Sequence, residues 1–469
     1  MRAPSKYTAS QTHLDLGPRF FQPVPAAQFP KHELRFRNQR WAHHVGLDDL
    51  NDDAWVDHFA QFKALPDNLP EPIALAYHGH QFRHYNPDLG DGRGFLFAQL
   101  RDPLDGRLLD LGTKGSGRTP WSRGGDGKLT LKGAVREILA TEMLEALGVD
   151  TSKTFSVVET GEALTRGDEP SPTRSAVLVR LSHGHVRIGS FQRHAYHQDL
   201  DAIETLARHV AKHYLTDIDA DAPMAELSVE LVRRVATNTA RTAADWTAAG
   251  FVHGVLNTDN INVTGESFDY GPWRFLPQMD PNFTAAYFDD FGLYAFGRQP
   301  EAVLWNVSRL AECFAPFAAE QDLSNALAGF DDAFNRALNT ALSRRFGIDA
   351  QDGKRLELGL RLFPAMHKAE APFEQVFFDC YGGTAATRKD IARQTYADGP
   401  LKNLVRDLAT CAPADGITPD HAYFQGDRPC TMLIDEVEHI WDAIAQNDDW
   451  SRLEQKLAAI AAMRAAYEG

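Results

Sequence analysis

Around Gln192 the hydrophobic pattern of this chain changes period, and that change constrains the fold more than any other feature. From Ile73 to about Gln192 the signals are short strands and glycines. Phe95 to Leu100 and Leu108 to Lys114 read as strands joined through Asp105-Gly106, a hairpin turn signal. A polar loop, Gly115 to Lys128, precedes a helix from about Lys132 to Leu147, whose stripe of Val135, Ile138, Leu139, Met143 and Leu147 recurs near i, i+3, i+4 and whose stop is Gly148. Ser156 to Glu159 and Ala176 to Leu181 read as two further strands. Beyond Gln192 the pattern is helical: Asp201 to Leu215, Met224 to Ala249 closed by Gly250, Pro300 to Phe317, Ser324 to Phe346, Leu433 to Ala445 and Trp450 to Tyr467. A strand-rich part followed by a larger helical part predicts an α+β fold with a cleft at the junction, the usual place for a ligand. The expected division is an N-terminal extension over 1–72, irregular and Pro-dotted and packed on the body, a small lobe over 73–192 and a helical lobe over 193–469. No apolar run approaches the roughly 18 residues of a membrane span, and the first residues lack the apolar core of a secretory signal.

Charge narrows the partners. The 469 residues carry a net charge of −16, which disfavours non-specific binding to nucleic acid or anionic lipid. One island runs against it. Between Gly112 and Lys132 lie five cations (Lys114, Arg118, Arg123, Lys128, Lys132) and one anion, Asp126. The four cysteines, Cys313, Cys380, Cys411 and Cys430, form no C-x-x-C pair, so neither a disulfide framework nor a zinc knuckle is expected, and a reducing, cytoplasmic compartment is.

Three sets of residues carry chemistry in the strand-rich part. Gly90-Asp91-Gly92-Arg93-Gly94 places glycines at alternate positions, which lets backbone N–H groups approach phosphate oxygens; a tight turn into a strand accounts for it equally well. Lys114 ends the second strand and Glu137 follows on the helix. A strand lysine paired with a helix glutamate behind a Gly-rich loop is how kinases hold ATP phosphates, although either residue alone reads as surface. Arg180 and Arg187 flank the turn Ser182-His183-Gly184-His185, and guanidinium forks suit phosphate; two solvated arginines are the plainer reading.

In the helical part, His253-Gly254-Val255-Leu256-Asn257-Thr258-Asp259-Asn260 follows the long helix, and Asp269 follows in Phe268-Asp269-Tyr270-Gly271. Asn260 and Asp269 have the spacing of the Mg²⁺ ligands of a kinase, a hard cation bound through oxygen. Where a kinase has its catalytic carboxylate this chain has Val255, and Asp259 is the substitute base. An Asx-rich turn would explain N-T-D-N, and His253 reads best as a structural residue.

Taken together these residues resemble the selenoprotein O (SelO) family of kinase-fold proteins. The resemblance is carried by Gly79-His80-Gln81-Phe82, Leu89-Gly90-Asp91-Gly92-Arg93, Thr119-Pro120-Trp121-Ser122-Arg123-Gly124-Gly125-Asp126-Gly127, Val135-Arg136-Glu137, the His253 to Asn260 run and Asp269-Tyr270-Gly271-Pro272. It implies a bilobal protein-kinase-like fold and a protein adenylyltransferase. Such an enzyme binds ATP in a flipped orientation and moves AMP to Ser, Thr or Tyr hydroxyls of proteins, with release of pyrophosphate. Carried over by motif, Gly90, Gly92, Arg93, Lys114, Asp126, Gly127, Arg180 and Arg187 contact the nucleotide, Asn260 and Asp269 hold Mg²⁺ or Mn²⁺, and Asp259 accepts the proton. The flip would explain the basic island as a seat for the β- and γ-phosphates. Competing readings are transfer of UMP from UTP with Mn²⁺, ordinary phosphoryl transfer with Asp259 as base, and a nucleotide-binding pseudokinase scaffold. The chain departs from the family at Ala285 and in its tail, Ala465-Ala466-Tyr467-Glu468-Gly469, where many members carry a redox-active Cys or selenocysteine, and at Arg83, where Gly is usual.

Overall fold

The computed structural model describes residues 6–167 and 169–468. Nine strands form one antiparallel sheet: β1 (Ala9–Ser10), β2 (Phe21–Pro23), β3 (Glu33–Arg37), β4 (Ile73–Leu75), β7 (Leu96–Arg101), β8 (Leu108–Lys114), β9 (Leu129–Thr130), β10 (Lys153–Leu164) and β11 (Thr173–Ser182), with β5 (Gly79–Gln81) and β6 (His84–Asn86) making a separate small hairpin. The order is β2-β4-β7-β8-β11-β10-β3, with β1 added to β7 and β9 to β11. β7 and β8 pair through the expected Asp105-Gly106 turn, with Gly106 at φ +76°.

The period-2 alternation of β11 shows how the sheet is covered on both faces. Ala176 and Leu178 join a core with Val135, Ile138 and Leu139 of α3 (Leu131–Ala146). Val177, Val179 and Leu181 point the other way, into a second core with Trp55, Phe59 and Phe155. That second core is built by α1 (Gln39–His44) and α2 (Asp52–Phe59), so the N-terminal seventy residues are not the irregular stretch their composition suggests: they supply β1 to β3 and two short helices. Their strands are two to five residues long and pair only with distant partners, so no local periodicity marks them. α3 starts where Thr130 accepts a hydrogen bond from the Gly133 N–H (3.1 Å) and stops at Leu147, with Gly148 at φ +81°.

The helical part begins at α4 (Ile188–Tyr196) and α5 (Leu200–His213) and is organised around α6 (Met224–Ala249), which ends at Gly250 in the left-handed region (φ +65°). α7 (Gln299–Cys313), α8 (Glu320–Leu327) and α9 (Phe330–Phe346) pack on α6. The predicted helix from Ser324 to Phe346 is thus two helices. Gly329, a poor helix former, separates them, and the apolar spacing on either side hides the break. Short helices α10 (Ala350–Arg355), α11 (Leu358–Ala369), α12 (Phe373–Asp379), α13 (Lys389–Thr395) and α14 (Lys402–Leu408) follow. The chain then returns through α15 (Ile434–Asn447) and α16 (Ser451–Glu468) to α3, where Lys132 meets Glu438 at 2.7 Å and Arg464 meets Glu142 at 2.6 Å. Among the described residues no helix is long and apolar enough to cross a membrane.

β12 (Phe251–Val252) and β13 (Arg274–Phe275) form a short hairpin that brackets the loop 253–273 directly after α6. This places the loop against the open end of β8 and β11. The approach of β7 to β8 is equally constrained. A Cβ on Gly94 would lie 2.1 Å from the Thr113 carbonyl oxygen. We expect Gly94→Ala to destabilise the protein by about 2 kcal/mol or more, measured by denaturant unfolding; an unchanged midpoint would show that the strands can separate without cost.

Candidate active site

β8 and β11 are antiparallel, with Lys114 opposite Leu178 and Gly112 opposite Arg180. Side chains two apart share a face, so Lys114 and Arg180 project together toward α3. There Glu137, also buried, accepts from Lys114 Nζ at 2.6 Å and lies 3.5 Å from Arg180. The strand lysine and helix glutamate are therefore a real ion pair. Asp269 completes the cluster from the loop 253–273. Its Oδ1 lies 3.0 Å from Lys114 Nζ and 3.2 Å from Arg180, and its Oδ2 accepts from the Asn260 side-chain amide at 3.1 Å. Burial by itself would raise the pKa of Asp269, but Lys114, then Arg180, Arg187 and Arg93 outweigh it and hold the carboxyl well below the usual range. Asp269 sits at φ +63°, a left-handed conformation that costs a residue with a Cβ roughly 1 kcal/mol or more and is held here by the ion cluster.

The loop is anchored at each end by side chains. His253, buried, donates from its backbone N–H to the Gln299 side-chain oxygen (2.9 Å) and from Nε2 to the Phe268 carbonyl (3.0 Å), which is the structural part expected of it. Asn257 Oδ1 accepts from the Phe82 N–H (3.0 Å) and the Tyr294 hydroxyl (2.8 Å), and Thr258 Oγ1 accepts from the His80 N–H (2.7 Å). Gly79-His80-Gln81-Phe82 is thus the seat of the loop. Residues Thr258–Asn260 form a single 3₁₀ turn. Asp259 Oδ1 is buried without a hydrogen-bond partner, and burial, only partly offset by Arg187, raises its pKa to about 6.

These groups open on a cleft of about 620 Å³. Gly90, Gly92, Arg93, Lys114, Asp126, Gly127, Arg180, Arg187, Asp259 and Asp269 all line it, while Glu137 and Asn260 stand behind Lys114 and Asp269. Its wall holds eight cationic side chains against four carboxylates, in a chain whose net charge is −16. Arg187 is buried under Tyr77, with its guanidinium 4.2 Å from the ring centroid, and pairs with Asp91 at 3.3 Å. The Nε atoms of Arg180 and Arg187 have no hydrogen-bond partner among the described residues. Buried donors left unmet inside a cationic cleft are what an anionic ligand would satisfy.

The loop 115–128 folds back over the Gly-rich segment as a flap. Ser122 donates to the Gly92 carbonyl (2.6 Å), Thr119 to that of Asp91, and the Trp121 indole lies so close to Gly90 that a Cβ there would meet it at 2.4 Å. The glycines at 90 and 92 are therefore required by the flap itself. The flap is clamped by Arg166, which donates to both Asp126 oxygens at 2.8 and 3.1 Å. Sequence reasoning missed Arg166 and Trp121. Nothing local marks either; only the Thr119 to Gly127 motif hinted that the loop has fixed partners.

Asn260 and Asp269 offer an amide oxygen and a carboxylate, hard donors suited to Mg²⁺ or Mn²⁺, and two protein ligands are enough for a cation that keeps water and phosphate in its shell. The set therefore fits a divalent ion. Among the described residues there is no cluster of three or more His, Cys, Asp or Glu side chains to form a separate all-protein site.

Residues 5–461 match the family described as Protein adenylyltransferase SelO. The chain belongs to the SelO family. It is 40% identical over 452 residues to the Protein nucleotidyltransferase YdiU of Synechocystis sp., covering 93% of this chain and 94% of that protein. It is 39% identical over 458 residues to the protein of the same name from Trichodesmium erythraeum (93% and 94%), and 40% identical over 454 residues to that of Gloeobacter violaceus (93% and 91%). Membership in the SelO family makes the chain a nucleotidyltransferase by class, and the two motif blocks at 79–94 and 253–272 are the ones that meet at its cleft. The clamp on the flap gives a direct test. Arg166→Ala should release Asp126 and raise the rate of tryptic cleavage at Arg118 and Arg123 severalfold while leaving the unfolding midpoint nearly unchanged; equal cleavage rates would show that Arg166 does not hold the flap.

Proposed function

We propose that this protein transfers AMP from ATP to Ser, Thr or Tyr hydroxyls of other proteins and releases pyrophosphate. The observation that carries the reading is the position of Arg180 and Arg187. Both are buried in the cleft with an unmet Nε donor, Arg180 sharing Glu137 and Asp269 with Lys114 and Arg187 capping α4 and donating to the Asp259 carbonyl at 3.3 Å. Asp259 has a carboxylate oxygen without a hydrogen-bond partner among the described residues. Ordinary phosphoryl transfer needs the γ-phosphate at the acceptor. A cationic seat made by Lys114, Arg180 and Arg187 instead suits the β- and γ-phosphates as the leaving group, and in this reading the α-phosphorus lies toward the Asp259 carboxylate. In the same reading the strand-rich part and the helical part are the small and large lobes of a kinase-like fold.

The step balances simply. The acceptor hydroxyl oxygen forms a bond to the α-phosphorus, and its proton passes to the Asp259 carboxylate. The bond from the α-phosphorus to the oxygen bridging the β-phosphate breaks, and pyrophosphate leaves with that electron pair. Lys114, fixed by Glu137, together with Arg180 and Arg187 stabilises the charge that develops on the leaving group; catalysis is positioning and electrostatics. Asn260 and Asp269 would hold Mg²⁺ or Mn²⁺, which when bound neutralises phosphate charge. The raised pKa of Asp259, caused by burial, suits a group that must both accept and release a proton.

Incubation with ATP labelled at the α- or the γ-phosphate tests this directly. Label from the α position on protein is the expected result; label only from γ would establish phosphoryl transfer, and bound ATP with no label on protein would establish a scaffold. α-labelled UTP in parallel decides between AMP and UMP. Asp269→Ala should reduce transfer by about three orders of magnitude. Asp259→Ala should lower kcat by about 10²-fold or more with ATP affinity within twofold of the parent, and equal loss of both would remove Asp259 from its assigned part.

A further inference from the structure

The segment after Asp269 exposes aromatic side chains beside the catalytic loop. Tyr287, Phe288 and Phe291 are 81%, 45% and 94% exposed, so three of the eight exposed large apolar side chains among the described residues fall within five consecutive positions. They are not on a loose loop. Asp289, buried, accepts from the Leu293 and Tyr294 N–H groups, both at 2.8 Å. Arg298 donates to the Gly292 carbonyl at 3.1 Å, and the Phe296 and Gly297 N–H groups donate to the Phe283 and Pro281 carbonyls at 2.9 Å. A segment so fully hydrogen-bonded that still holds three aromatic rings in water is a built apolar surface, and such surfaces mark interaction sites.

The patch is continuous with the reaction site. The Phe288 ring lies 5.8 Å from that of Phe82, and Phe82 lies 5.0 Å from Tyr294. The Phe82 N–H and the Tyr294 hydroxyl both bond Asn257, two residues before Asp259. Phe82 and Arg83 take left-handed backbone angles (φ +49° and +65°), so the turn that carries Phe82 to this position is paid for in strain. The charge of the patch is also defined. Arg83 and Arg298 are both paired with Glu301, at 3.1 and 3.3 Å. Asp290, exposed among the three rings, makes no ion pair among the described residues.

We infer that this surface docks the acceptor protein, and that it selects a segment with a large apolar side chain and a Lys or Arg next to the hydroxyl that is modified. The inference rests on the reading of the cleft as a nucleotidyl-transfer site. Apolar contact with Tyr287, Phe288 and Phe291 would bury exposed aromatic area, and the acceptor's cation would complete Asp290. Because the patch is separated from Asp259 only by the Phe82 and Asn257 layer, the docked segment would present its hydroxyl to the α-phosphorus without touching the nucleotide.

The test uses short synthetic peptides, each with one central Ser, Thr or Tyr flanked by Leu and Lys, by Leu and Glu, by Gly and Lys, or by Gly alone, with ATP labelled at the α-phosphate. The expected result is that the Leu and Lys peptides are labelled at least about fivefold faster than the others. Phe291→Ser and Tyr287→Ser should erase the preference for Leu, and Asp290→Lys should invert the preference for Lys over Glu, each with unchanged ATP affinity and unfolding midpoint. Labelling without preference, or a preference that survives all three substitutions, overturns the docking surface and leaves nucleotidyl transfer standing. So does labelling confined to whole proteins with no peptide accepted, or a dimer in solution that the Phe291→Ser and Tyr287→Ser variants convert to monomer. Absence of α-label from every peptide and every protein overturns the transfer reading, and this inference with it.

Discussion

The Asp269 carboxylate is the interaction that joins the sheet, α3 and the loop after α6 at the bottom of the cleft. It takes Lys114 from β8, Arg180 from β11 and the Asn260 amide from its own loop, and Lys114 in turn takes Glu137 from α3. Two anions and two cations in so small a buried volume are costly to desolvate, and such clusters contribute little net stability against an apolar alternative. Their value is placement. With these partners Asp269 stays ionised, Lys114 cannot swing away, and three chain segments distant in sequence share one register at the bottom of the cleft. The left-handed backbone at Asp269 is tolerated because the cluster over-determines it.

The same cluster explains why an acidic protein can have a cationic site. The island from Gly112 to Lys132 accounts for only part of the surplus, since Arg93, Arg166, Arg180 and Arg187 come from elsewhere in the chain. The fold gathers them by bringing the Gly-rich segment, β8, the flap and β11 around one opening. At physiological salt the field of charges exposed to solvent is screened within about 8 Å.

Much of this was legible in the sequence where the signal is local. The strands on either side of Asp105-Gly106, the stop of α3 at Gly148, and the full length of α6 with its Gly250 terminus follow from turn chemistry and periodicity within a window. The pairing of Lys114 with Glu137 was legible as the kinase order of Gly-rich loop, strand lysine and helix glutamate, although either residue alone reads as surface. What failed was whatever depends on distant partners. β1, β2 and β3 have no periodicity of their own and exist because β7, β4 and β10 offer open edges. Arg166 reads as a solvated loop residue until the hairpin of β10 and β11 folds it back onto Asp126. The break at Gly329 was invisible because both flanking helices keep the same apolar face.

Val255 stands where the kinase pattern has a carboxylate, and the loop around it is held by its other side chains. His253 is spent on Phe268, Asn257 on Phe82 and Tyr294, and Thr258 on His80. Each of these contacts pins the loop from behind, so the 3₁₀ turn at Thr258–Asn260 is what reaches forward into the cleft. In that turn Asp259 and Asn260 are adjacent yet differently engaged. Asn260 is held by Asp269, whereas Asp259 keeps an oxygen without a partner. Of the two, Asp259 therefore keeps the free oxygen that the proposed proton transfer would use.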